Sequence, residues 1–175
     1  MKRAGLALCL VLGAVLFGAP ATRAQSSDAA AKARFAVTLA RFVQWPAGSE
    51  QTPLRLCVLQ NSAALARAFQ AHEGAPVGTR RVAVVLEPAG IGACDLLFID
   101  DSGARAAAPL LAESAQRPVL TLGAVDGFIA RGGMVELVNV DDTLRFDVDL
   151  HALRQAGLGL SSHALKLARR VRDGG

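Results

Sequence analysis

The 175-residue chain has no tyrosine and one tryptophan, and aromatic residues make up only 5% of it. Single-strand nucleic-acid readers stack bases on aromatic rings, so that class is disfavoured. Charged residues are also scarce at 19%, whereas hydrophobic residues reach 52% and mean hydropathy is +0.35. A disordered chain shows the opposite balance. The three histidines, His72, His151 and His163, lie too far apart for an HExxH or HxH pattern, and no metal site is expected. Neither Cys57 nor Cys94 belongs to a CxxC motif. Ser161-Ser162 lacks a GxSxG setting. Gly127, Gly132 and Gly133 suggest a loop, but no Lys-Ser/Thr follows to make a phosphate cradle. No constellation supports catalysis, and no cofactor is implied.

What is present begins with an address label. Lys2 and Arg3 precede 14 uncharged residues, 4–17, and Ala19-Pro20-Ala21 or Thr22-Arg23-Ala24 supplies a small-x-small cleavage site. A membrane-spanning helix needs about 20 apolar residues. Residues 1–24 therefore read as a secretory signal peptide and 25–175 as the mature domain. Cys9 lacks the setting of a lipid-attachment cysteine. Without Lys2, Arg3 and Arg23, the 19 basic residues fall to 16 against 15 acids, a net charge of about +1. The sequence pI of about 9.5 thus mostly describes the leader, and nucleic acid is not an expected partner.

The mature chain keeps Cys57 and Cys94. In an oxidising compartment paired thiols tend to form disulfides. The other reading is two free cysteines packed in the core, which small, apolar Cys does well.

Hydrophobic spacing predicts a helix over 29–45, with Phe35, Leu39, Phe42 and Val43 on one face and Pro46 ending it. Strands are expected at 54–59, 81–86, 95–100 and 118–122, with helices at 62–71 and 104–115 between them. A turn or short helix covers 123–131. Strands at 134–138 and 144–148 should form an antiparallel hairpin around a longer loop, 139–143. A helical turn at 151–156 and a final helix at 161–172 close the chain. The fold class is α/β: one domain with a mixed, mostly parallel sheet flanked by helices and a late antiparallel hairpin.

Asp100-Asp101 fall at a strand's C-terminal end, where α/β folds place ligands. The plainer reading is a helix cap beside one solvated acid. Asp141-Asp142 read as turn residues, and Lys166, Arg169, Arg170 and Arg172 as a basic helix end.

Three stretches together resemble one family. They are Lys32-Ala-Arg-Phe35 with Arg41-Phe-Val-Gln-Trp45-Pro46; Val119-Leu-Thr-Leu122 with Asp126-Gly-Phe128 and Gly132-Gly133-Met134; and Arg145-Phe-Asp-Val-Asp149 with Ala156-Gly157-Leu158 and Leu160-Ser-Ser-His-Ala-Leu165-Lys-Leu-Ala168. The set resembles the YfiR/HmsC-like family over 29–172. That resemblance implies a non-catalytic periplasmic α/β protein, often a homodimer. Such proteins restrain an inner-membrane diguanylate cyclase through its periplasmic region, and an OmpA-like outer-membrane lipoprotein can sequester them. The family's structural disulfide maps onto Cys57 and Cys94, while a second cysteine pair found in some relatives is missing.

Two functions follow as expectations. A regulatory binding protein would use an exposed apolar patch, for which Phe42, Trp45, Phe128 and Met134 are candidates. A periplasmic small-molecule sensor would use Asp100, Asp101 and Arg131 as ligand-binding groups.

Overall fold

Small side chains let the first helix lie close against its neighbours. The computed structural model describes residues 20–48 and 53–174, with side chains from residue 24 onward. The expected signal segment therefore lies outside the described residues except for its last five. Helix α1 (Pro20–Ala40) buries Ala29, Ala33, Ala36, Val37 and Ala40, a stripe of helical period. Leu39 of the expected face is buried with them, whereas Phe35, Phe42 and Val43 only flank this core. The helix also stops short of Trp45. Arg41 N and Phe42 N bond back to Thr38 O and Leu39 O, and Val43–Gln44 becomes strand β1.

The remaining elements are β2 (Leu54–Leu59), α2 (Ala63–Gln70), β3 (Pro76–Val77), β4 (Arg80–Leu86), β5 (Leu96–Asp100), α3 (Ala104–Ser114) and β6 (Leu120–Ala124). They continue as β7 (Val135–Val140), β8 (Thr143–Asp149), α4 (Leu150–Gln155), β9 (Gly159–Leu160), α5 (Ser162–Leu167) and β10 (Arg170–Arg172). Eight strands form one mixed sheet in the order β10-β8-β7-β6-β5-β2-β4-β3. Its pairs are parallel except β7–β8 and β3–β4. β1 and β9 form a small separate antiparallel sheet.

Strand direction and handedness decide the layers. The chain leaves β2 one way for β4 and leaves β5 the opposite way for β6. Parallel crossovers are right-handed, so their helices land on opposite faces. Leu65 and Phe69 of α2 join Leu54, Leu56, Val58, Leu96 and Phe98 on the face that α1 also covers. Ala107 and Leu111 of α3 join Cys57, Leu97 and Ile99 on the other. The central strands are buried on both faces, and their runs are almost wholly apolar for that reason.

Cys57 on β2 and Cys94, just past the 3₁₀ turn Ile91–Ala93, are joined in a disulfide with Cα atoms 5.7 Å apart. The bridged reading of the cysteines is the one the structure adopts. It ties the start of β5 to the neighbouring strand beneath α3.

The end of the chain departs from expectation. Instead of a helix through Arg172, α5 stops at Leu167 and β10 adds a parallel edge strand beside β8. Arg169 makes the switch. Its backbone N donates to Phe146 O, and its Nε and Nη2 grip both Asp147 oxygens at 2.8 and 2.5 Å. The hydrogen bond to Asp147 raises the Arg169 guanidinium pKa above its ordinary value. Ser161 does cap α5 as its position suggests, with Oγ accepting from Ala164 N.

The β7–β8 hairpin is tighter than expected. Val140 pairs with Thr143, leaving Asp141 and Asp142 as a two-residue turn with φ of 47° and 58°. Both signs are those of a type I′ turn, which prefers Asn-Gly. Asp reaches this region because its short side chain bonds locally. The double substitution Asp141→Asn/Asp142→Gly should raise stability by about 1 kcal/mol in urea unfolding. A loss of stability would mean that the two carboxylates make useful contacts in the turn.

Candidate functional site

Parallel α/β sheets offer a crevice where strand order reverses, at the strands' C-terminal ends. Here it lies between β2 and β5. Leu59, Gln60, Ser62, Glu87, Ser102 and Gly103 are among the residues lining it. Its hydrogen-bonding groups are largely engaged with one another. Asp100 Oδ1 accepts from Ser102 N, Ser102 Oγ and Gly103 N at 3.2, 2.6 and 3.3 Å. Ser102 Oγ in turn accepts from Asn61 N at 2.6 Å. Glu87 Oε1 accepts from Gln60 N at 3.0 Å, and Gln60 Oε1 accepts from Ser62 N. These bonds lace the loop after β2 to the loop after β5 and to the end of β4.

Asp100 is thus the cap that the plainer sequence reading allowed. Asp101 is exposed and lines a different cavity with Lys32, Asp126 and Asn139. Arg131 ends the exposed 3₁₀ turn Ile129–Arg131 and lines neither the crevice nor that cavity. The structure does not bring the three expected ligand residues together.

The expected apolar patch is corrected as well. Phe128 and Met134 are each 1% exposed and belong to the core. The cause is local. A Cβ on Gly123 or on Gly133 would fall inside the Phe128 ring, so these two glycines form its socket. Met134 belongs instead to the core on the α1 side of the sheet, and its N donates to Thr121 Oγ1 at 3.0 Å. The central motif is therefore a packing device. Gly133 was a legible signal, since close approach of a ring to backbone is a common reason for glycine.

Phe42 and Trp45 remain partly exposed. They stand where the first and last sequence motifs meet. Val43 pairs with Leu160 and Gln44 with Gly159, while Ser161 N donates to Phe42 O at 3.0 Å. A Cβ on Gly159 would press on the tip of the exposed Gln44 side chain, which would have to swing aside. The Phe42 and His163 rings lie 5.7 Å apart. Deeper, Phe35 of α1 meets Phe146 of β8 at 5.2 Å.

His163 and Leu167 are four apart on α5 and so share a face. Leu167 is 58% exposed, and Val171 on the β10 edge is 43% exposed. Sequence reasoning missed both because a helix continued to Arg172 would have turned some of this stretch inward. A half-exposed ring, a histidine and an exposed leucine thus form a continuous feature beside an open sheet edge.

Among the described residues no group of three His, Cys, Asp or Glu could hold a metal ion. No helix among them is long and apolar enough to cross a membrane. The fold defines a class: a single-domain, three-layer α/β protein stapled by the Cys57–Cys94 disulfide. The chain belongs to the YfiR/HmsC-like family, whose model matches residues 29–169. Ala29, where the match begins, is also the first buried residue described on α1. The family is one of periplasmic regulators rather than enzymes. Among solved structures, the chain is similar to a conserved domain protein from Vibrio cholerae O1 biovar eltor. The two share 13% identity with a TM-score of 0.51, over 68% of this chain and 55% of the other. That likeness is one of fold, and this chain spans about half the length of the protein it matches.

Proposed function

We propose that this protein is a periplasmic binding protein that restrains an inner-membrane diguanylate cyclase by engaging the cyclase's periplasmic sensor region. The restraint lowers cyclic di-GMP and with it biofilm formation. An OmpA-like outer-membrane lipoprotein would relieve it by sequestering the regulator, and the regulator would act as a homodimer. The observation that carries this reading is the family match across nearly all of the folded domain. The segment after α1 and helix α5 supply the surface, with Phe42 and Trp45 from the sequence reading and Leu167 added by the structure. A stable protein interface buries about 1,200–2,000 Å², so this patch would form the centre of a larger footprint.

Two measurements test the proposal. Deleting the gene should raise cellular cyclic di-GMP, and the complemented strain should restore it. No change while the protein is expressed would sink the cyclase reading. The Phe42→Glu/Leu167→Glu variant should fold, because neither side chain is fully buried. It should nevertheless fail to complement. Full complementation by a folded variant would move the docking surface elsewhere.

A further inference from the structure

Arg80 opens β4 and is 6% exposed, an unusual place for a guanidinium. Its Nη2 donates to Pro53 O at 3.1 Å and to Asp95 Oδ2 at 2.7 Å. Its Nε and Nη1 have no hydrogen-bond partner among the described residues, and neither does Trp45 Nε1. The guanidinium carbon stands 5.8 Å from the centre of the Trp45 ring. Buried polar groups without partners are few in native proteins, and each calls for a cause. Three such nitrogens on two stacked residues form one unmet demand.

The chemistry of that demand is specific. Every orphaned atom is a donor: Arg and Trp side-chain nitrogens accept nothing. Trp45 and Arg80 both line a cavity of about 420 Å³, together with Arg41. Its lining includes two cations and no acid, since Asp95 lies outside it. The rest of the lining includes Val43, Leu54 and Val77, so an apolar body would find apolar contact. A hydrated ion such as phosphate would waste that contact. The orphaned nitrogens are sealed from solvent, so Trp45 must turn aside to admit a ligand. Trp45 is half-buried between β1 and Pro46, at the rim of the cavity.

We propose that the Trp45–Arg80 cavity binds a small organic monocarboxylate. The carboxylate meets the Arg80 and Trp45 N–H groups, and the apolar body lies against Val43, Leu54 and Val77. This goes beyond the docking proposed above and does not depend on it. None of Asp100, Asp101 and Arg131 takes part.

The protein carries its own reporter. With one tryptophan and no tyrosine, its intrinsic emission comes from Trp45 and reads this site directly. The disulfide-bonded mature protein is titrated with hexanoate, hexylammonium and inorganic phosphate at constant ionic strength. Hexanoate should give a saturable change in emission and a matching rise in Tm, and the other two should not. Arg80→Lys keeps the charge but loses the fork, and should weaken hexanoate binding at least about tenfold. Trp45→Phe keeps the ring but loses the N–H, and should weaken binding severalfold when followed by Tm. That second variant keeps the test open if Arg80→Lys proves too unstable. No saturable response to hexanoate would overturn the proposal and leave ordered water as the partner of these donors. Unchanged affinity in the folded variants, or equal binding of phosphate, would overturn it too.

Discussion

Replacing Asp95 with Ala should destabilise the protein by about 3–5 kcal/mol, because it strands a buried cation. The Arg80 and Asp95 side chains are 8% and 13% exposed, and their charged atoms meet at 2.7 Å. Asp95 Oδ2 also accepts from Arg55 N at 2.7 Å, and its backbone N and O bond to Arg55 O and Leu120 N. One carboxylate thus joins the start of β2, the start of β4 and the approach to β5. Removing it leaves Arg80 with Pro53 O as its remaining acceptor among the described residues. The double variant Asp95→Leu/Arg80→Met should cost much less than the two single losses combined. A buried pair replaced whole by apolar groups is often near neutral, since both desolvation penalties leave together. Urea unfolding of the wild type, Asp95→Leu, Arg80→Met and the double variant forms a double-mutant cycle that measures the coupling. A cost under about 1 kcal/mol for Asp95→Ala alone would show that Arg80 finds another acceptor.

Opening the disulfide is the second large effect expected. Cys57 and Cys94 are 37 positions apart. In the chain-entropy model a bridge of that span limits the unfolded chain by about 4 kcal/mol. Cys57→Ala, Cys94→Ala and the double variant should therefore lose similar amounts, because each opens the same loop. At an m-value of about 2 kcal/mol/M the urea midpoint would fall by about 2 M. Ala is the better probe than Ser, since Cys57 is wholly buried and a hydroxyl there would add its own desolvation cost. Abundance in the periplasm should fall in step, as more of the chain is unfolded and open to proteases. Thiol titration of the unreduced, unfolded protein should find no free thiol in the mature chain. Two free thiols would contradict the bridge.

These two sites show how unevenly the candidate site could be read in advance. The disulfide was legible from composition, with two cysteines left in a domain expected to be exported. Arg80 and Trp45 stand 35 positions apart, and nothing local marks either as buried or as stacked on the other. Likewise Asp100 could be read as a cap from its place at a strand end. That Ser102 would also accept from Asn61 depends on β2 lying beside β5, which is a matter of strand order. Phe128 and Met134 were misplaced because an apolar residue in a glycine-rich loop looks exposed until the ring's socket is assembled.

The sequence by itself determined what repeats or acts locally. Short runs rich in apolar residues marked the central strands, and Ser62, Asp100 and Ser161 marked where helical turns begin. The alternation of strand and helix implied a largely parallel sheet, and two aspartates marked a turn. Tertiary structure alone decided the order β4-β2-β5-β6 and which face each helix covers, since right-handed crossovers act on strands already paired. It also turned the last residues from helix to strand. Their local pattern favours a helix, but the Arg169–Asp147 ion pair and the open edge of β8 offer more than another helical turn does. Propensity is a sum over neighbours in sequence, while pairing and burial depend on neighbours in space, and where the two disagreed in this protein the second prevailed.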